Sequence, residues 1–381
     1  MRRPDGSAHP TKQTTTGNGP EEMMPMFSSL ALTQALPYLP LAQGDIDYGV
    51  ERRADPRLID DVLRETGTSV VLTRAGLLAV PFGQRALTRQ SNAHMRLATL
   101  PGGYVADSLP HHPEVKAIYL GSYAGAEPQH VVALDLTDVA PMPAADANAR
   151  HVDDEFDDAA GARDTHDGIF ATAIARFDWV DLRGFAPRAS AREIGQATTM
   201  LALSNWFAYQ RHCPHCGYPV EQAMSGWAQR CTNSEDDFRL LFPRVEPAVI
   251  MTVVDAQDRL LLQHNKAWQN PLLYSVSAGF VEAGENLEHA CRRETLEETG
   301  VRVGEVKYLG SQPWPYKLSL MMGFKGQALN TDVQVDGEEV ADARWVTRDE
   351  YTELLVTGQI EAPGKATIAR VMIEEWYGRQ I

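Results

Sequence analysis

The chain has 381 residues, long enough for two or three domains with separate cores, and its 44% hydrophobic and 23% charged content is that of ordinary globular protein. A formal net charge of -16 argues against passive attraction to nucleic-acid backbones, so any polyanionic substrate must be held by metal and a few local cations.

Residues 1–25 are polar and rich in Thr, Gly and Pro, which predicts a disordered tail without the apolar segment of a signal peptide. No later stretch approaches the roughly 18 apolar residues of a membrane helix, and no membrane partner is expected. Four cysteines without a sign of secretion fit a reducing cytoplasm. The β-rich runs Ser69–Thr73, Gly76–Pro81, Ala117–Gly121 and His130–Leu136, with a helix near Asp55–Glu65, predict a mixed α/β domain over residues 26–205. Residues 143–167 shift to Ala, Asp and Arg and read as a solvated acidic insertion. Helical periodicity over Ala191–Gln210 then leads into the cysteines.

Residues 206–244 read as a zinc-ribbon-like module. Cys213-Pro-His-Cys216-Gly217 is a metal knuckle, two thiolates two residues apart with a Gly permitting the tight turn, and Cys231 is a third ligand at a fitting distance. The fourth position holds Ser234, a poor zinc ligand. Either His215, His212 or a nearby Asp completes a structural Zn²⁺ site, or the ribbon has lost its metal and folds through its own packing.

Residues 245–381 form the last predicted domain, giving an overall α/β (α+β) class. Strands are expected at Ala248–Val254, Leu260–Gln263 and Leu273–Val276, then at Val306–Gly310, Leu318–Lys325 and Ala343–Val346, with a final helix over Lys365–Tyr377. Between the two sets lies GFVEAGENLEHACRRETLEETGV, Gly279–Val301, where Asn286 is a good N-cap and Gly300 a good helix end. At about 100° per residue, Leu287, Ala290 and Cys291 share a stripe with Glu294 and Glu298, Glu297 lies at its margin, and Leu296 is opposite. A merely solvated helix would place its acids away from the apolar stripe. Inward carboxylates need compensation, and oxygen ligands without a His or Cys cluster favour Mg²⁺ or Mn²⁺.

The spacing Gly279-x5-Glu285-x7-Arg293-Glu294-Thr295-Leu296-Glu297-Glu298-Thr299-Gly300-Val301 resembles the Nudix box, departing only at Thr295, where the family has an apolar residue. The resemblance implies a Nudix fold, a mixed sheet between helices, that hydrolyses a nucleoside diphosphate linked to another group. A second motif, Ser311-Gln-Pro-Trp-Pro-Tyr-Lys-Leu-Ser319, resembles the SQPWPFPxS array of NAD(H) diphosphatases, also called NADH pyrophosphatases, with Tyr316 for Phe and Lys317 for Pro.

By this resemblance Glu294, Glu297, Glu298 and the downstream Glu339 match metal-binding acids, and Glu285 with Arg293 matches the pair bracing loop against helix. Phe280 and Phe242 resemble an aromatic clamp for a base, and Ala369 matches the point where main chain approaches the cofactor. Gln312, Trp314, Tyr316 and Ser319 belong to the cofactor-binding array. The resemblance implies metal-dependent cleavage of NAD(H) to AMP and nicotinamide mononucleotide, removal of NAD caps from RNA 5′ ends as a second substrate, and a homodimer. The alternatives are an ADP-ribose or other dinucleotide diphosphatase, suggested by Lys317, and a Nudix-fold nucleotide sensor, which should have lost box acids.

Overall fold

The computed structural model describes residues 30–90, 92–140 and 168–381; the expected tail at 1–25 and acidic insertion at 143–167 lie outside them. Three sheets organise the chain. The first contains β1 (Ser69–Arg74), β2 (Leu77–Val80), β3 (Thr99–Pro101), β4 (Lys116–Tyr123), β5 (Gln129–Asp135) and β6 (Asp178–Val180), in the order β4-β5-β1-β2-β6 with β3 against β1. Alternation along β1 divides its side chains: Val70 and Leu72 pack toward α1 (Leu58–Arg64) and α2 (Ile169–Arg176). Val71 faces the second core, with Met200, Leu201 and Trp206 of α3 (Ala191–Tyr209). Ser190 and Glu193 form a capping box that starts α3.

A three-stranded ribbon follows, β7 (Val220–Ala223), β8 (Ala228–Cys231) and β9 (Leu240–Leu241). The third sheet has the order β13-β14-β10-β11-β15, with β12 against β10. Its strands are β10 (Glu246–Val254), β11 (Leu260–Asn265), β12 (Ser277–Phe280), β13 (Val303–Trp314), β14 (Ser319–Ala328) and β15 (Val340–Val346). The β10–β14 pair is parallel and the others antiparallel, so this is a mixed sheet. Val249, Met251 and Val253 pack against Ala290 and Cys291 of α4 (Leu287–Thr299). Ile250 and Val254 face the opposite way, toward Met372, Ile373 and Trp376 of α6 (Ile368–Tyr377), with α5 (Arg348–Val356) beside them through Tyr351.

Two expectations change. Leu273–Val276 is not a strand: it is held by single bridges, Gln263 with Ser275 and Leu273 with Glu361, and regular pairing with β10 begins only at Ser277. The strand expected to end at Gly310 continues to Trp314 through an irregularity between Tyr308 and Gly310. Pro313 is tolerated there because β13 pairs with β14 alone and is the sheet's edge. That edge is covered by residues 30–41, the start of the chain's described part: Leu36 N donates to Leu309 O at 2.8 Å and Leu41 N to Gln312 Oε1 at 3.1 Å. The core that Val71 shares with α3 also receives Ala366, Trp314 and Tyr316, so the N-terminal sheet rests directly on the Ser311–Ser319 array.

Candidate active site

The helix α4 forms where the sequence signals it. Asn286 caps it by accepting from His289 N at 2.8 Å, and Gly300 ends it in the left-handed region at φ 71°. Its orientation buries Ala290, Cys291, Thr295 and Glu298 and leaves Leu296 exposed. Glu298 is only 3% exposed. It accepts from Gln263 Nε2 at 2.9 Å, while the Gln263 carbonyl oxygen accepts from the Ser277 hydroxyl at 2.9 Å. Burial, with the charges of Glu294 and Glu339 adding to it, pushes the Glu298 carboxyl up to about 8. Burial also raises Glu294, against the lowering effect of Arg293.

Gly279 is required by a close approach: a Cβ on it would fall inside the Glu294 carboxylate. Arg293 collects the remaining acids. Its Nε and Nη2 fork onto Glu285 at 2.9 and 2.8 Å, its Nη1 reaches Glu294 at 2.9 Å and Glu297 at 3.0 Å, and Nη2 also donates to Phe280 O at 2.9 Å. The guanidinium holds the Glu285 carboxyl down at about 2. Glu297 is the outermost of the group, with its side chain 60% exposed.

Glu339 arrives from the loop before β15. Asp336 fixes that loop: its carboxylate accepts from the main-chain N of Glu338, Glu339 and Val340 at 3.3, 3.2 and 2.9 Å, and its own N donates to Glu298 O at 3.3 Å. Those N–H donors hold the Asp336 carboxyl below its ordinary value, Val340 foremost. The structure thus brings Glu294, Glu298 and Glu339 within range of one another's charge, with Glu285 and Arg293 bracing from the side. An oxygen-only set whose innermost carboxyl is raised chiefly by burial, with its acidic neighbours adding to it, is of the kind that a hard divalent cation such as Mg²⁺ or Mn²⁺ compensates.

On the other side of β12 lies a cleft of about 590 Å³. Ser277 and Gly279 face α4, so alternation turns Ala278 and Phe280 the other way, and Ala278 lines the cleft. Trp268, Trp314, Met321, Ile368 and Ala369 form its apolar wall. Trp314 and Ala369 are therefore in one cavity, and Phe280, 44% exposed, lies on the same face.

The other expected residues are elsewhere. Phe242 is 58% exposed in a separate groove with His215, Arg239 and Arg244. Gln312 is fully buried, and its amide is occupied by Leu41 N and Ala366 O. The Tyr316 hydroxyl donates to Asp181 at 2.9 Å, and burial raises its pKa. The Ser319 hydroxyl donates to Lys317 O at 3.5 Å. Gln263, Asp336 and Trp268 were not anticipated. Gln263 had a signal, a polar side chain at an inward position of β11, and Asp336-Gly337 is a turn pair; nothing marked Trp268.

In the ribbon, Cys213, Cys216 and Cys231 meet Asp236, with one ligand atom from each within 4.8 Å of the others. Gly217, at φ 76°, makes the knuckle turn. The side chain that completes this four-residue cluster is Asp236, and His215, His212 and Ser234 are not part of it. His215 Nδ1 instead sits 2.9 Å from the Asp236 carboxylate, which Arg239 holds in its charged form.

Residues 244–366 match the family model of the NUDIX domain. Over 208 residues the chain is 38% identical to a protein of Mycobacterium bovis (strain BCG / Pasteur 1173P2) named NAD-capped RNA hydrolase NudC, covering 52% of this chain and 64% of that one. It is 37% identical over 206 residues to Nudix hydrolase 19, chloroplastic, of Arabidopsis thaliana, covering 52% and 45%. It is 36% identical over 192 residues to NAD-capped RNA hydrolase NUDT12 of Macaca fascicularis, covering 48% and 41%. The chain spans less than two thirds of the length of each of these relatives. Among the described residues no helix is long and apolar enough to cross a membrane.

Proposed function

From a chain that carries a Nudix domain and is homologous to NAD-capped RNA hydrolases, we propose metal-dependent hydrolysis of the diphosphate of NAD(H), yielding AMP and nicotinamide mononucleotide. NAD-capped RNA 5′ ends are the second substrate of this reading. The observation that carries it is the position of β12, a single strand with the Glu294–Glu298 carboxylates on one face and the Trp314–Ala369 cleft on the other. A dinucleotide needs such a pair of sites, one for its phosphates and one for a base.

Glu294, Glu298 and Glu339 would hold Mg²⁺ or Mn²⁺, with Glu297 at the margin. The bound cation supplies neutralisation of the diphosphate charge and a water of lowered pKa. Arg293 keeps the loop from Phe280 to Glu285 against α4, Asp336 presents Glu339, and the aromatic and main-chain wall at Trp314 and Ala369 receives a base. Phe280 stands on the correct face to stack on it. Retention of every box acid favours an enzyme over a nucleotide sensor. Zn²⁺ on Cys213, Cys216, Cys231 and Asp236 would be structural. A homodimer belongs to the same reading on family resemblance, and a cytoplasmic location on the four cysteines without a sign of secretion.

The test is incubation with NADH, NAD⁺, ADP-ribose and NAD-capped RNA in Mg²⁺ or Mn²⁺, with the products resolved. AMP and nicotinamide mononucleotide from NADH are expected. Intact NADH beside rapid ADP-ribose cleavage overturns the substrate, and tight binding without turnover of any of them favours the sensor.

A further inference from the structure

Gln312 belongs to the Ser311–Ser319 array, yet it is fully buried and lies outside the cleft lining. It stands two residues before Trp314 on β13 and directly opposite Met321 on β14, and both of those neighbours line the cleft. Alternation therefore turns its amide to the cleft side of the sheet, where it meets the wall from behind. Its Nε2 donates to Ala366 O at 3.0 Å, and its Oε1 accepts from Leu41 N at 3.1 Å. A main-chain N–H can only donate and a carbonyl can only accept, so these two partners admit the amide in one orientation.

The wall it meets is the loop before α6, which gives Pro363, Gly364, Ala366 and Thr367 to the cleft. Other bonds of this loop stay local: Thr367 N and Oγ1 donate to Gly364 O at 3.0 and 2.8 Å, and Arg370 Nη1 donates to Pro363 O at 3.2 Å. The Gln312–Ala366 bond fastens the loop to the array strand. Leu41 comes from the segment that covers the edge of β13, where Lys307 Nζ also donates to Leu30 O and Ala31 O at 3.0 and 2.9 Å. Leu39 of that segment packs in one core with Ile368 and Ala369. Edge segment and cleft wall thus meet through a single buried amide. Its removal would leave Leu41 N and Ala366 O without partners in the interior.

We propose that Gln312 is a positioning residue for the base cleft: it fixes where the Ala366 wall stands, in an orientation that residues 30–41 set through Leu41. The role rests on reading the cleft as the base-binding side of a dinucleotide diphosphatase. The ligand it serves is the mononucleotide half of the dinucleotide that carries the seated base.

The test is calorimetric titration of the full chain with AMP and with nicotinamide mononucleotide, in EDTA at pH 6 and pH 9, using wild type, Gln312→Leu, Gln312→Glu and Trp268→Ala, each variant compared with wild type at the same pH. Mn²⁺ affinity is measured separately by electron paramagnetic resonance. Gln312→Leu should weaken the mononucleotide that wild type binds by roughly tenfold at both pH values, as loss of a buried hydrogen-bond pair implies, and leave Mn²⁺ affinity within about twofold. Gln312→Glu should follow wild type at pH 6 and Gln312→Leu at pH 9. Burial keeps its carboxyl protonated at the lower pH, with the same donor and acceptor as the amide, whereas the ionised form has no donor for Ala366 O. Unchanged mononucleotide affinity in Gln312→Leu would overturn the proposal. Parallel loss of Mn²⁺ and mononucleotide affinity, with no recovery in Gln312→Glu at pH 6, would reduce Gln312 to a general part of the core. A wild type that binds neither mononucleotide, or a Trp268→Ala variant that binds as tightly as wild type, would overturn the reading of the cleft and this role with it. Gln312-dependent affinity in a chain that leaves NADH intact would sink the hydrolytic reading alone.

Discussion

Gln263 Nε2 donates to Glu298 at 2.9 Å, and the other end of the same amide accepts from Ser277 at 2.9 Å, so one buried side chain orients the innermost carboxylate and ties it to the strand bearing Gly279. Gln263→Leu would leave the Ser277 hydroxyl and a Glu298 oxygen unpaired in the interior. The expected cost is about 1–3 kcal/mol of stability, the usual penalty for stranding buried polar groups. It should come with a loss of metal-dependent turnover of at least roughly tenfold, since about 1.4 kcal/mol of lost orientation suffices for that. Thermal unfolding and NADH turnover on one preparation check both, and a variant unchanged in either would show that the amide is dispensable.

Gly279 poses a different problem. Its added Cβ would collide with the Glu294 carboxylate, the movable end of a side chain, rather than with backbone. Gly279→Ala should therefore fold with a Tm near wild type while turnover drops by roughly two orders of magnitude, the result expected if Glu294 is the metal ligand proposed above. A large fall in Tm with proportionate activity in the surviving fraction would mean that the glycine serves the fold instead.

The Glu298 carboxyl gives a pH dependence. Its folded pKa, raised to about 8 by burial, exceeds the ordinary carboxyl value of about 4.3, so the folded chain holds this proton more tightly than the unfolded chain. The associated stability is fully present below about pH 4 and is lost as pH rises through about 8. A cation binds the deprotonated form, so Mg²⁺ or Mn²⁺ should stabilise the protein more at pH 8 than at pH 6. Unfolding curves at the two pH values, with and without Mn²⁺, provide the comparison. Glu298→Gln should abolish the difference; its persistence would assign the effect to another group.

Much of this site was legible because helix chemistry is local. Asn286, Gly300 and the spacing of Glu294 and Glu298 fix where α4 begins, where it ends and which acids turn inward, and the structure places them so. Long-range closure was not legible. Gln263 and Glu298 are 35 positions apart, and Arg183 and Tyr316 are 133 apart; their meeting depends on sheet order and on how the N-terminal sheet seats on the array. Leu273–Val276 misled because its apolar run resembles a strand, although its backbone pairs only at isolated points. Gln312 is polar within an array motif, yet its amide joins Leu41 to Ala366.

The ribbon supplies a last prediction. Cys213 Sγ is 3.3 Å from Asp236 Oδ2, Cys216 and Cys231 sulfurs are 3.4 Å apart, and Cys213, Cys231 and Asp236 are all buried. Arg239 and His215 already compensate the Asp236 charge from one side, but three thiols and a carboxylate gathered at one point form a tetrahedral donor set, and Asp is an accepted zinc ligand. The purified chain should then carry one equivalent of Zn²⁺ by elemental analysis. Asp236→Ala should lower that content and expose the three cysteines to a thiol reagent, whereas Ser234→Ala should leave both unchanged, since Ser234 is outside the cluster. Loss of the ion should also lower Tm, because ligands gathered from the knuckle and from the β8–β9 turn are held together by it. Full zinc content in Asp236→Ala would return the fourth ligand to a histidine or water, and a zinc-free wild type with unreactive thiols would mean that the ribbon stands on packing alone.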